Sequence, residues 1–262
     1  HKEYRRQRQM CIRDRHKDGY DLYGQKNLNS WANYFPKDWK MVYYAEKHSP
    51  ELNERTTIVD FDECCPEWNN FYDVVKQQLN RDPAKDDPKR INWYKKALRW
   101  SFKMYAVLHA LKNTDTRYLV WLDADVVATA SPTADWIEKC LKNTCMAAQL
   151  EFIKAGGHIE TGILIFDLHH PDIHKIYDWI KTGYVDGEIL KEEKAWDGIW
   201  MAKLVQTNTV SWNNIDMVIY QNVARAFSDP RMSWLTHRVG KNKFRTTVIS
   251  ARSGRSPGQE LI

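Results

Sequence analysis

The chain has 262 residues, 43% of them hydrophobic, which suits one large α/β domain or two small ones with a sizeable core. The net charge of +5, from 39 basic and 34 acidic residues, suits an anionic ligand such as a nucleotide diphosphate and does not require nucleic acid. No apolar run reaches membrane-spanning length, and no signal peptide is visible. The five cysteines match no zinc spacing, so we expect a cytoplasmic protein in a reducing compartment, without a disulfide framework.

The first fifteen residues differ in character from the rest of the chain. They contain five arginines without amphipathic period, and residues 10–15 resemble a string produced by translated sequencing-adapter read-through. We therefore expect residues 1–15 to be a non-native or disordered tail. The alternative is a natural basic tail that binds an anionic surface. The predicted domains are then a single domain over 16–245 and a loose C-terminal tail over 246–262.

Strands and helices alternate along the predicted domain. Helices are predicted at 28–35, 68–79, 95–112, 133–142, 171–181 and 196–205. Strands are predicted at 41–45, 57–61, 118–123, 145–150, 163–166, 210–212 and 217–220, with an exposed loop at 81–90. This alternation indicates an α/β fold with a mostly parallel central sheet flanked by helices. The short later strands predict a small additional mixed sheet.

Three glycine or capping signals refine these elements. Ser131 is a candidate N-cap followed by Pro132 at the first helical position, which predicts that the fourth helix starts at Pro132 and continues over 133–142. The pair at 156–157 predicts a flexible loop, since both residues are glycine. Gly183 is expected just past the end of the helix at 171–181.

The central feature of the sequence is the stretch 118–127. Apolar and aromatic residues run into Asp123 and Asp125, which predicts a strand buried on both faces that ends at a ligand-binding crevice. Residues i and i+2 of a strand share a face, so the two carboxylates would repel unless a cation lies between them. Oxygen ligands suit Mg²⁺ or Mn²⁺, and such a cation could hold a phosphate ligand. The alternative is a strand end with two solvated acids.

A second motif lies far downstream, at residues 237–243, and reads H-x-x-G-x-x-K. Together with D-x-D after a hydrophobic strand, it resembles glycosyltransferase family 8 and related enzymes of the Rossmann-like GT-A fold. The resemblance implies that Asp123, Asp125 and His237 bind Mn²⁺ (or Mg²⁺), with Asp123 also near the nucleotide donor. It also implies that Gly240 and Lys243 approach the donor diphosphate. The alternative for His237 is a surface histidine.

Two further segments are similar to the family. Residues 158–166 resemble the segment in which an Asn-Ala-Gly triplet opens a strand at the acceptor side, with Glu160 and Thr161 in place of Asn-Ala. Glu160 would position an acceptor hydroxyl or lie near the anomeric carbon, or it is a solvated loop acid. Asp197 falls where the family carries an Asp-rich motif, and would bind donor-sugar hydroxyls or act as a general base. Alternatively, it caps the following helix.

The family has a basic residue that reaches the donor from the helix before D-x-D. Lys103 is our candidate for this residue, and Arg99 is the second; the alternative is a solvated helix face. GT-A domains also begin with a central strand that carries part of the nucleotide site. Because residues 1–15 occupy that place, we expect an incomplete or improvised sheet at the N-terminus.

The resemblance implies a metal-dependent glycosyltransferase that moves a hexosyl group from a UDP-sugar to a carbohydrate or other hydroxyl acceptor. The family implies retention of configuration, but Asp197 or Glu160 acting as a general base would permit inversion. One alternative is a haloacid dehalogenase-type phosphohydrolase, in which the first Asp is the nucleophile. That motif usually opens its domain, whereas here it follows a long N-terminal part. A second alternative is a non-catalytic nucleotide-sugar-binding module, which a missing first strand would favour.

Overall fold

The structure, a computed structural model, describes residues 8–14, 24–45, 54–80, 88–153, 156–215, 218–220, 224–226 and 235–237. The helices are α1 Gln25–Tyr34, α2 Phe61–Cys64, α3 Trp68–Leu79, α4 Pro88–Asn113, α5 Trp136–Leu141, α6 Ile173–Tyr184 and α7 Asp197–Gln206, with a 3-10 turn at Glu188–Lys191. The strands are β1 Arg8–Asp14, β2 Trp39–Ala45, β3 Thr56–Asp60, β4 Tyr118–Asp123, β5 Val126–Ala128, β6 Met146–Ile153, β7 Gly156–Asp167, β8 Trp212–Asn214, β9 Val218–Tyr220, β10 Ala224–Ala226 and β11 Leu235–His237.

Seven strands form the main sheet, in the order β3-β2-β1-β4-β7-β6-β8. The pairs among β1, β2, β3 and β4 are parallel, and so is β6 with β8. Strand β7 runs antiparallel to both β4 and β6. Parallel neighbours need crossover connections: helix α1 lies between β1 and β2 along the chain, and α6 and α7 lie between β6 and β8. The predicted α/β architecture with a mostly parallel sheet is therefore confirmed.

Strand β1 corrects the expectation for the N-terminus. The backbone of Arg8–Asp14 pairs in parallel with β2 on one side and β4 on the other. The expected incomplete sheet is therefore wrong at these residues, whereas the non-native origin expected for residues 1–15 stays a prediction. Ladder hydrogen bonds join backbone groups, so an arginine-rich segment can complete a sheet when strands on both sides supply partners. The division of the chain at residues 15 and 245 stays a prediction.

A second sheet of four strands has the order β5-β11-β10-β9. All three of its pairs are antiparallel, whereas a mixed sheet was expected. Its edge strand β5 follows the D-x-D motif directly. The pairing therefore joins the middle of the chain to residues more than a hundred positions later.

Two hydrophobic cores lie on opposite faces of the main sheet, and β4 contributes to both. Leu119 and Trp121 belong to the core that α3, α4, α6 and α7 cover. Tyr118, Val120 and Leu122 belong to the core under α1 and α5. Successive side chains of a strand point to opposite faces, so a strand covered on both sides needs an unbroken apolar run. The burial predicted for this strand is confirmed.

Several element boundaries differ from the predictions. Helix α5 begins at Trp136 after the N-cap Asp135, not at Pro132. Thr133 and Asp135 instead form a turn, in which the Thr133 hydroxyl donates to the Asp135 carboxylate at 2.9 Å. Gly156 and Gly157 belong to β7, where they pair with β6 rather than forming a flexible loop.

Gly183 lies inside α6 rather than beyond its end. A Cβ atom at this position would lie 2.3 Å from the Trp200 indole nitrogen, so only glycine fits against that ring. The indole nitrogen of Trp200 donates to the Trp179 carbonyl, and that of Trp179 donates to the Trp200 carbonyl. Close packing of α6 on α7 therefore explains this glycine better than a helix cap.

Within the described residues, no helix has both the length and the apolar character needed to cross a membrane. Cys64, Cys65, Cys140 and Cys145 are free thiols.

Candidate active site

Lys103 is the centre of a buried polar cluster. It lies midway along α4, and its side chain is almost fully buried against β4 and β7. The ammonium donates to Asp123 Oδ2 at 2.8 Å and to Thr161 Oγ1 at 3.0 Å. It also lies 3.4 Å from Asp197 Oδ2. The ammonium points at the sheet edge, as expected, while its contact with a donor stays a prediction.

Asp123 occupies the last position of β4, at the carboxyl end of the parallel strands. Its Oδ2 accepts the hydrogen bond from Lys103, and its Oδ1 accepts one from the Trp121 indole at 3.2 Å. The turn after Asp123 is held from the opposite face by Asn27 of α1. The buried Asn27 amide donates to the carbonyls of Asp123 and Val126. The D-x-D turn is therefore held through the side chain of Asp123 and through its backbone carbonyls.

Asp197 is the first residue of α7 and is completely buried. Thr161 Oγ1 donates to Asp197 Oδ2 at 2.6 Å while accepting from Lys103, so the hydroxyl bridges the two charges. The Gly198 amide is close enough to lower the pKa of Asp197. Even so, no described group donates a hydrogen bond of normal geometry to Oδ1. A buried carboxylate oxygen without a donor is costly, and a ligand hydroxyl would satisfy it.

The charged side chains of this cluster shift one another's pKa values. Burial raises the pKa of Asp197 above its ordinary value, while Lys103 and the Thr161 hydrogen bond oppose that rise. Burial alone would lower the pKa of Lys103, but the charges of Asp123, Asp197 and Glu160 more than compensate, so its pKa is raised. Lys103 is therefore a permanent cation at neutral pH, placed between two acids.

Glu160 and Arg99 lie at the margin of the cluster. Glu160 is half-buried on β7, and its carboxylate accepts a hydrogen bond from the Gly162 amide at 3.0 Å. Its charge acts on Lys103, so it belongs to the same electrostatic environment. Arg99 is exposed on α4, whereas Lys103 is buried. The structure therefore favours Lys103 over Arg99 as the basic residue of the site.

The two halves of the candidate metal motif lie on neighbouring strands. Asp125 is 4% exposed and directly precedes β5. Strand β11 pairs antiparallel with β5, so the backbone of His237 lies opposite Val126. The side chain of His237, together with Gly240 and Lys243, falls outside the described part of the chain.

The candidate metal ligands Asp123, Asp125 and His237 partly fit a divalent cation. Within the described residues, no three His, Cys, Asp or Glu side chains cluster closely enough to hold a metal ion. A buried carboxylate on Asp125 with an imidazole on the adjacent strand is a mixed oxygen and nitrogen set that suits Mn²⁺. Both oxygens of Asp123 already accept hydrogen bonds, so this carboxylate has less capacity left for a cation.

Three residues of the site were not found from the sequence: Asn27, Trp121 and Thr161. A polar residue at a buried position of an amphipathic helix is the only signal for Asn27. Trp121 reads as a core residue of its strand, and its indole hydrogen bond to a carboxylate two positions later follows from the shared face. Thr161 was noted only as a departure from the family triplet, but it links Lys103 to Asp197.

Comparisons with protein-family models and with curated proteins give no match. Among solved structures, the apo form of mouse xyloside xylosyltransferase 1 superposes with a TM-score of 0.51 at 8% identity, over 80% of this chain and 85% of that one. The chain has the fold of a GT-A glycosyltransferase. Weaker superpositions (TM-score 0.43 each) include the apo glycosyltransferase GlyE of Streptococcus pneumoniae TIGR4, at 12% identity over 79% of this chain and 44% of that one. Another is the galactosyltransferase LgtC in complex with donor and acceptor sugar analogs, at 11% identity over 79% and 73%.

Replacing Thr161 with Val tests the bridging hydroxyl. Valine keeps the shape of the side chain but leaves Asp197 Oδ2 without its shortest hydrogen bond. We expect the free energy of unfolding to fall by about 1–3 kcal/mol, because a buried acceptor loses its partner. Chemical denaturation measures this change. Thr161→Ser keeps the hydroxyl and is the matched control; if it destabilises as much as Val, the methyl packing rather than the hydrogen bond is responsible.

Proposed function

We propose that this protein is a metal-dependent glycosyltransferase that moves a hexosyl group from a UDP-sugar to a hydroxyl acceptor. The observation that carries the proposal is the pairing of β5 with β11, in which the backbone of His237 lies opposite Val126, directly after the D-x-D motif. Nothing in the local sequence requires residues so far apart to share a ladder. The GT-A fold and the buried cluster at the carboxyl end of β4 support the same function.

The proposed roles divide the site between donor, cation and sugar. Asp125 and His237 would hold the cation, with Asp123 contributing its remaining lone pairs. When bound, a divalent cation neutralises charge on the departing diphosphate. Lys243 would contact the diphosphate, and Gly240 would let the backbone approach it closely.

The sugar end of the donor would lie over the buried cluster. Asp197 Oδ1 would accept a hydrogen bond from a sugar hydroxyl, because this oxygen lacks a described donor. Lys103 would keep Asp197 ionised and so keep it a hydrogen-bond acceptor. Glu160, half-buried at the edge of the cluster, would position the acceptor. The cluster therefore supplies orientation and fixed charge rather than a mobile group.

Transfer breaks the bond between the anomeric carbon and the diphosphate oxygen and forms one to the acceptor oxygen. The acceptor hydroxyl passes its proton to the departing diphosphate oxygen as the bond forms. We propose retention of configuration, as the family resemblance implies. Asp197 is the less suitable general base, because its Oδ2 is already bonded to Thr161 and its Oδ1 is assigned above to a hydroxyl of the donor sugar. Glu160 is the more accessible carboxylate.

The two rival functions have less support. A phosphohydrolase would need Asp123 as a nucleophile, but both its oxygens accept hydrogen bonds from Lys103 and Trp121. The non-catalytic binding module depended on a missing first strand, and β1 occupies that place.

A thermal-shift series with nucleotide sugars, each with and without Mn²⁺, tests the proposed function. We expect a UDP-sugar with Mn²⁺ to raise Tm by several degrees at about a hundredfold excess over Kd, because ligand binding stabilises the folded state. Release of UDP should then be detected on incubation with the same donor. Turnover of an aryl phosphate without any shift by nucleotide sugars would support the phosphohydrolase instead.

A further inference from the structure

Trp100 lies one helical turn before Lys103 on α4, at the edge of the Lys103 cluster. The Lys103 ammonium lies over the Trp100 ring, 5.2 Å from the ring centroid, which is within the range of a cation–π contact. Because the same ammonium is held by Asp123 and Thr161, it also fixes the position of the ring. None of the roles proposed above uses this tryptophan.

Trp100 packs less than the other half-buried tryptophans of the described chain. It is half-buried and belongs to neither of the two hydrophobic cores. The others pack against the core that α4 covers or, in one case, against a histidine ring. Within the described residues, the indole N–H of Trp100 makes no hydrogen bond, and its nitrogen is not enclosed. A large side chain with an open donor and few protein contacts is available to a ligand.

Trp100 lies on the side from which a ligand would enter the cluster. Helix α4 leads into β4 and runs antiparallel to it, so residues before Lys103 lie beyond the carboxyl edge of the sheet. Trp100 is three residues before Lys103, which is about 4.5 Å farther out along the helix axis. Asp197 is fully buried, whereas the side chain of Asp123 is 20% exposed at this edge. A ligand that reaches the cluster from the carboxyl edge therefore passes Trp100.

Asp197 and Trp100 suit different parts of one sugar. Asp197 Oδ1 lacks a described donor, so it can accept a hydrogen bond from a sugar hydroxyl. The indole ring offers apolar area to the C–H groups of the sugar, and its N–H can donate to a hydroxyl oxygen. The two side chains together therefore match a hydroxylated ring that has an apolar side.

The position of Trp100 within the cluster indicates which part of the donor it would contact. Lys103 Nζ lies 3.4 Å from Asp197 Oδ2, and the same nitrogen lies over the Trp100 ring. Asp197 is the group that would hold a hydroxyl of the transferred sugar. In a UDP-sugar, ribose and diphosphate separate that sugar from the base. A ring so close to Asp197 therefore borders the sugar and not the uracil.

We propose that the hexosyl ring of the donor packs against Trp100, and that the indole N–H donates to a hydroxyl of that hexose. The assignment rests on the proposed function, to which it adds the residue that contacts the transferred sugar. A ring fixed in place by Lys103 would orient the hexose before transfer, because little motion of the side chain is lost on binding.

Isothermal titration of the full chain with UDP-glucose, UDP-galactose and UDP, each with Mn²⁺, tests the contact. We expect Trp100→Ala to bind the preferred UDP-hexose about tenfold more weakly than the native protein, because the apolar contact is lost. Its affinity for UDP should be unchanged. The donor KM for transfer should rise, and the acceptor KM should not.

Trp93→Ala is the matched control. Trp93 is half-buried on the same helix and carries the Lys96 ammonium 4.0 Å from its ring centroid, but Lys96 is not part of the buried cluster. The control should bind UDP-hexose and UDP as the native protein does. An equal loss of UDP-hexose affinity in both variants would overturn the proposal, because the effect would then belong to the helix.

Trp100→Phe covers the case in which Trp100→Ala lowers Tm. Phenylalanine keeps an aromatic ring and loses the N–H, so we expect an affinity for UDP-hexose between those of the native protein and Trp100→Ala. Native affinity for UDP-hexose in both Trp100 variants would refute the contact.

The outcomes also separate this contact from the proposed function. If the native protein hydrolyses a UDP-hexose and Trp100→Ala binds it equally well, the contact alone is wrong. A parallel loss of UDP affinity would assign Trp100 to the nucleotide, and a raised acceptor KM with native donor affinity would assign it to the acceptor; either result contradicts the proposal. If no nucleotide sugar binds the native protein, the proposed function fails and the contact fails with it.

Discussion

Lys103→Met is expected to lower the free energy of unfolding by about 3–5 kcal/mol at neutral pH, because it leaves a buried charge without its partner. Methionine is unbranched like lysine and fills the same space, so the lost cation, rather than a cavity, should dominate the effect. The change removes the hydrogen bonds to Asp123 and Thr161 and the ion pair with Asp197. Urea denaturation of the variant measures the loss.

The penalty should depend on pH through Asp197. Its folded-state pKa is raised above the ordinary value, so its contribution to stability is present in acid and is lost as the pH rises through that pKa. Lys103 limits the rise, and removing it should raise the pKa of Asp197 further. The variant should therefore approach the native stability near about pH 4, where Asp begins to be protonated in the unfolded chain, and fall behind as the pH increases.

Lys95→Met is the matched control, since Lys95 is exposed on the same helix. It should change stability by less than about 0.5 kcal/mol. In the double variant Lys103→Met with Asp197→Asn, part of the lost stability should return, because the unpaired buried charge is gone. A penalty for Lys103→Met that is constant with pH would mean that Asp197 is not the group left unpaired.

The elements best predicted from the sequence are those whose periodicity reflects burial. Helix α3 has the predicted bounds, and β4 could be recognised because an apolar run is required where both faces are covered. Helix α5 was misplaced because a local capping signal at Ser131 competed with the packing of Trp136 and Ile137 against the sheet. Such tertiary packing leaves little trace in the local sequence.

Strand β1 shows a second limit. Its seven residues carry only three apolar side chains in a row, so composition argued against a central strand. Its partners in the sheet, β2 and β4, are separated from it along the chain. Parallel pairing needs no tight turn between the strands, so no local turn sequence predicts it. The amino-acid composition therefore gave a wrong prediction for this segment, because backbone hydrogen bonding to the two neighbouring strands determines its structure.

For the candidate site, residue types were predicted more easily than their connections. Asp123, Lys103 and Asp197 were selected one at a time, from D-x-D, helix position and family similarity. Their mutual contacts run through Thr161, which joins β7 to both α4 and α7. A threonine in a strand is ordinary for that position, and only the assembled sheet shows what its hydroxyl contacts.

Asp125→Ala is expected to abolish glycosyl transfer, because the leaving diphosphate loses the carboxylate that best fits a cation. Asp125 is nearly buried at the end of the D-x-D turn, next to the ladder that carries His237. Its loss should reduce kcat/KM by at least about a hundredfold, on the scale of losing one group that stabilises developing charge. Asp115→Ala is the control, since Asp115 is an exposed acid before the same strand.

His237→Ala should cost less than Asp125→Ala, since water can replace one neutral ligand. Isothermal titration of Mn²⁺ in the presence of UDP gives a readout that does not depend on turnover. We expect affinity to fall in the order native, His237→Ala, Asp125→Ala, with the Asp115→Ala protein equal to native. If both His237→Ala and Asp125→Ala keep the native Mn²⁺ affinity, the downstream motif does not bind the metal. The pairing of β11 with β5 would then have only a structural role.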